Sequence, residues 1–124
     1  MLTAIASTLA VLLDLLIIFI GARFFAVPIA AAAAYGVPVR EDGDSRPYLT
    51  IKGLRDITSG LIGLALLAFS GTHAEAWFML AVAVTPFGDT FVVLRNGGSK
   101  AAAFGIHFAT AVVVVISAAL LFAA

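Results

Sequence analysis

The sequence predicts an all-α, polytopic membrane four-helix bundle with a short interfacial helix between spans one and two. Three observations predict it. Of 124 residues, 63% are hydrophobic and 11% charged, with a mean hydropathy of +1.16. A soluble domain carries roughly 45–50% apolar and about 25% charged residues, so this surface is built for a bilayer. Four apolar stretches reach the roughly 20 residues that a hydrocarbon core requires. Short links rich in Gly and polar residues separate the last three. A soluble enzyme, a disordered chain and a nucleic-acid binder are excluded on this balance. The absence of cysteine removes disulfide and thiolate chemistry, and the zero net charge implies no polyelectrolyte partner.

The single transmembrane domain is expected to cover residues 1–124, with spans at about 3–27, 49–70, 74–94 and 100–123. The first lacks a basic leader, runs too long for a signal peptide and is interrupted by Asp14, so it is expected to be retained. Pro28 is suited to a first helical position and opens an interfacial segment of about 28–36, too short to span, with Tyr35 at headgroup level. Val37 to Pro47, with Arg40, Glu41, Asp42, Asp44 and Arg46, reads as a solvated loop. Gly71-Thr72-His73 and Asn96-Gly97-Gly98-Ser99 are tight reversals that make the last three spans antiparallel to their neighbours.

All 7 basic residues lie in or beside the first–second and third–fourth connections. The positive-inside rule places those connections in the cytoplasm and both termini outside a multi-pass cell-membrane protein. Such an asymmetry argues against an antiparallel, dual-topology dimer.

Charges inside a span cost at least about 2.5–3.5 kcal/mol each near the bilayer centre, so their placement is informative. Thr3, Ser7, Asp14 and Gly21 form a narrow stripe on the first span that should face protein. Lys52, Arg55, Asp56, Ser59, Gly60 and Gly63 share a face of the second, with Lys52 and Asp56 an i,i+4 pair. Thr85 and Asp89 share a face of the third, where Pro86 frees the Val82 carbonyl. His107, Thr110 and Val114 share a face of the fourth. Counted from the cytoplasmic helix ends, Asp56, Asp89 and His107 lie about 10 Å deep and Asp14 about 16 Å. Ionisable groups from separate helices thus occupy one layer beside Arg55.

This layer supplies acid–base candidates Asp56, Asp89 and His107, with Arg55, Asp14, Lys52, Thr85 and Thr110 as ligand-binding candidates. A small, partly lipophilic ligand and isomerase- or cyclase-like catalysis are the leading expectation. Proton-coupled transport is the second reading, favoured by Asp14 near midspan, and a structural or interaction subunit the third. Each residue also has a plainer role. Arg55 could pair with Asp56 or Asp89 to lock register, His107 could be an interhelical donor, and the glycines could serve close packing. No cofactor is expected: metal binding by Asp56, Asp89 and His107 would normally recruit more histidines, and His73 and His107 lie toward opposite sides, which excludes bis-histidine haem. Partners are membrane lipids, the ligand and a parallel homodimer permitted by Gly60-Gly63 or Ala101-x-x-x-Gly105.

Gly21-Ala22-Arg23, Pro28, Tyr35-Gly36-Val37-Pro38, Tyr48-Leu49, Lys52-Gly53-Leu54-Arg55-Asp56, Pro86-x-x-Asp89 and His107 together resemble the pattern of the domain of unknown function 4267. The resemblance covers nearly the whole chain, and Lys-Gly-x-Arg-Asp is its most specific element. It implies a small four-helix integral membrane protein of bacteria and fungi and no settled activity. The layout is also loosely similar to the sterol-isomerase and emopamil-binding class, in arrangement only.

Overall fold

Backbone amides in an apolar solvent must satisfy one another, and a long run of Ala, Leu, Ile and Val does so as a helix. The computed structural model describes residues 1–40 and 43–124, which contain helices and no strand. Glu41 and Asp42 of the expected loop lie outside the described residues. The helices are α1 (Leu2–Ala26), α2 (Pro28–Tyr35), α3 (Arg46–Phe69), α4 (Thr72–Val82), α5 (Val84–Arg95) and α6 (Lys100–Ala123). By length and composition, 3 stretches can cross a membrane: Leu2–Ala26, Thr72–Arg95 and Lys100–Ala123. α3 is equally long, at 24 residues, but Lys52, Arg55 and Asp56 make its first half more polar.

Local chemistry sets the boundaries. Pro28 opens α2, and Gly36 closes it at φ 96°, where its own N–H and that of Val37 reach the Ala33 and Ala32 carbonyls. Gly97, at φ 78°, ends α5, and the Gly98 N–H returns to the Val93 carbonyl at 2.8 Å. Two spans depart from a regular α-helix. The third breaks at Ala83 into α4 and α5, because Pro86 has no N–H for the Val82 carbonyl. The fourth contains a π-helical segment, Ala103–Phe108, which holds His107. Such segments are rare and frequent at functional sites.

α1 and α3 run antiparallel and make the most extensive contact, α4 packs on the second half of α6, and α1–α6 and α3–α4 contacts close the bundle. Glycines set the α1–α3 spacing. A β-carbon on Gly21 would lie 2.5 Å from the Gly53 carbonyl oxygen, and one on Gly60 2.5 Å from the Asp14 carbonyl oxygen. The buried face of α1 is Ala6, Ala10, Asp14, Gly21 and Phe24. The expected stripe is therefore corrected at its first two members: Thr3 is exposed and Ser7 half-buried, because the packed face of α1 at that end is the one that carries Ala6 and Ala10. The main core joins Ala6, Ala10, Ala76, Met79, Ala83, Val114, Ala118 and Leu121. Large apolar side chains such as Leu12, Phe19, Phe91 and Ile116 cover the outside, as a protein in lipid would have them.

Candidate functional site

Where α1, α3, α5 and α6 diverge beneath α2, they leave a cavity of about 880 Å³. Asp14, Lys52, Arg55, Asp56, Thr85, Asp89, His107 and Thr110 all line it. The helical faces read from the sequence thus converge on one space. Arg23, Tyr35, Tyr48 and Ser59 line it too, and most of the remaining wall is apolar, including Leu16, Ile17, Ile20, Phe78 and Val114.

The ionisable groups are paired across helices in a way that spacing alone does not give. Lys52 Nζ donates to Asp56 Oδ2 at 2.6 Å, the i,i+4 pair expected on α3. Asp89, on α5, accepts a hydrogen bond at Oδ2 from the Tyr35 hydroxyl of α2. His107 Nε2 donates to the Tyr35 backbone carbonyl at 2.6 Å. That bond makes Nε2 the protonated nitrogen and leaves Nδ1 as the basic atom of the neutral ring. The Tyr35 ring lies 4.2 Å from the His107 ring and 5.8 Å from that of Phe24, centroid to centroid. The Lys52 ammonium sits 4.3 Å above Tyr35 and 4.5 Å above Phe24, an arrangement that attracts a cation to the ring faces.

Tyr35 is therefore the hub of the site, a role that its expected place at headgroup level does not by itself suggest. α2 turns its last residue inward, and the left-handed Gly36 carries the chain away behind it. Burial, then the charge of Asp89, its hydrogen bond and the charge of Asp56, push the Tyr35 phenol above its ordinary value. At neutral pH it is a protonated donor. The Tyr35-Gly36-Val37-Pro38 element was the available signal for this role.

The partners of two ligand-binding candidates bear on their plainer roles. Arg55 does not pair with Asp56 or Asp89: among the described residues neither Arg55 nor Arg23, which also lines the cavity, has an ion-pair partner. The acids already have Lys52 and Tyr35, which leaves both guanidiniums open to a ligand. The Thr110 hydroxyl bonds back to the Ile106 carbonyl at 2.6 Å, so toward the cavity it is an acceptor. Gly60 and Gly63 are consumed by packing against α1, which leaves the Ala101–Gly105 surface, open at Gly105, as the remaining small-residue face.

Glu75 was not anticipated as a buried group. Counted from the start of its helix it belongs near the outer surface, yet it is 0% exposed. Ala76, the next residue of α4, packs in the core with Ala6 and Ala10 of α1, and the carboxyls of Glu75 and Asp14 face each other. Asp14 is 3% exposed and packs on the Cα of Gly63.

The profile of the Domain of unknown function (DUF4267) family matches residues 15–121. The chain belongs to this family. The DUF4267 region contains every cavity-lining candidate above except Asp14, which lies one residue before it. No curated protein and no solved structure matches the chain.

Proposed function

We propose that this DUF4267 protein is a four-span membrane protein whose cavity takes a small, partly lipophilic ligand from the cytoplasmic side. One observation carries the reading: polar side chains from separate helices line a single space with largely apolar walls. Volumes in this range suit small organic molecules, and a few polar groups among apolar ones fix such a ligand's orientation. In this reading α3 is the fourth span, its charges turned toward the cavity, and α2 lies at the interface with Tyr35 turned inward. The clustering of basic residues supports placing the cavity mouth in the cytoplasm.

The polar end suits a ligand with an anionic or carbonyl group. Arg23 and Arg55 would hold that group, while Ile17, Ile20, Phe78 and Val114 would pack on the apolar part. Asp56, Asp89 and His107 remain the acid–base candidates, and Tyr35 joins them as a proton donor relayed to Asp89. An isomerase- or cyclase-like proton shift needs no further group. Proton-coupled transport is the second reading, favoured by Asp14 at the deep end of the cavity. A parallel homodimer would use the face of Ala101 and Gly105.

Native mass spectrometry of protein extracted with its surrounding lipid tests this function. A bound small molecule is expected on the wild type and reduced at least tenfold by Arg55→Ala. Protein that carries lipid alone, unchanged by that substitution, would contradict the reading.

A further inference from the structure

A second polar site lies deeper than the cavity's charged end. Glu75 is 0% exposed and neither carboxyl oxygen has a hydrogen-bond partner. Its carboxyl faces that of Asp14, whose Oδ2 is likewise buried and unpartnered. A third unpartnered group, Ser117 Oγ, is 0% exposed on the α6 face that carries Val114 and Leu121 into the core with Ala10, Ala76 and Met79.

Among the described residues, no charge that could neutralise the pair forms an ion pair with it. α3 presents Gly63 and Gly60 to Asp14, and its ionisable groups Arg46, Tyr48, Lys52, Arg55 and Asp56 all precede these glycines, toward the opposite end. On α6 the nearest ionisable group is His107, tied to the Tyr35 carbonyl. On α5, Asp89 is bound to Tyr35 of α2. On α4 itself, His73 is engaged edge-on with Phe122 at 5.8 Å. Among the described residues, no basic group forms an ion pair with either carboxyl, and the charge that acts on Glu75 is that of Asp14.

Two carboxylates cannot both stay ionised side by side in an apolar interior without a counter-charge. Buried acceptors also require a donor. A single proton meets both demands, since it removes one charge and turns one carboxyl into a donor for the other. We propose that Asp14 and Glu75 form a proton-binding site, one proton shared between two carboxyls at the inner end of the cavity. Asp14 is the member that lines the cavity, so the proton enters and leaves through it, and Glu75 is reached only by way of Asp14. The site holds its proton whether or not the cavity is filled, and so stands independently of the ligand reading.

Infrared spectroscopy of the full chain in sodium-free lipid nanodiscs tests the proposal. At neutral pH the wild type should show a protonated-carboxyl C=O band. Asp14→Asn and Glu75→Gln should each shift it, their combination should abolish it, and Asp89→Asn should leave it in place. A wild-type spectrum with no protonated carboxyl at neutral pH would overturn the proposal, even if the variants fail to fold. So would a band indifferent to the double substitution. Loss of the band on adding sodium at constant pH would also overturn it, by assigning the pair to a metal cation.

Discussion

His107 Nε2 and the Tyr35 carbonyl oxygen lie 2.6 Å apart, a bond that spans 72 positions of sequence and ties the π-helical part of α6 to the end of α2. The side chain of the same tyrosine donates to Asp89. One residue thus connects the short helix to two long ones at the polar end of the cavity.

Removing the tether should loosen α2. His107→Ala is expected to lower stability by about 0.6–2 kcal/mol, the range for interhelical hydrogen bonds in membrane bundles. Proteolysis within residues 37–45 should accelerate with it. Denaturant unfolding in detergent checks the first outcome, and His107→Gln, which keeps an N–H donor, should recover part of the loss.

The Tyr35 phenol gives a pH dependence with a definite sign. Its proton is held more tightly in the folded protein than in the unfolded chain, where it leaves near the ordinary value of 10.0. The stability this contributes is complete below that pH and is lost as pH rises above it. Ultraviolet titration should show one of the 2 tyrosines silent until the protein unfolds. Tyr35→Phe should remove the silent tyrosine.

Two glycines should differ in their tolerance of volume: Gly63, in the α1–α3 contact, and Gly88, on α5 and outside that contact. A β-carbon at Gly63 would run into the Asp14 carboxyl, whereas one at Gly88 meets nothing within 4 Å. Gly63→Ala is expected to destabilise by about 1–3 kcal/mol through overpacking. Gly88→Ala should be neutral, or stabilising by up to about 1 kcal/mol through helix propensity. Thermal unfolding of the two variants side by side separates these outcomes.

The Lys52–Asp56 pair should contribute modestly. With the Lys52 side chain 30% exposed and that of Asp56 14%, solvent screens part of the attraction. A double-mutant cycle with Lys52→Met and Asp56→Asn should yield a coupling of about 1 kcal/mol or less.

Much of this site was legible in the sequence because helical geometry is periodic. A step of 100° per residue put Lys52, Arg55 and Asp56 on one face, and counting depth put Asp56, Asp89 and His107 in one layer. The Lys52–Asp56 bond follows from spacing alone. What was not legible depends on how helices are offset and directed in space. Glu75 lies near the start of its helix in sequence, and only the packing of α4 into the core beside Ala6 and Ala10 buries it facing Asp14. Tyr35 ends an alanine-rich segment that reads as interfacial, and its inward direction comes from the packing of α2 on α1 and α3. The partners of Asp89 and His107 lie across the bundle, where periodicity carries no information.

The cavity itself is tested most directly by thiol labelling, because the chain has no native cysteine. Ser59→Cys places a thiol on the cavity wall, while Thr58→Cys, beside it in sequence, places one on the exposed outer surface of α3. In inside-out vesicles a membrane-impermeant reagent should label Ser59→Cys and spare Thr58→Cys. No labelling of Ser59→Cys from that side, or equal labelling of both, would contradict a cavity open to the cytoplasm.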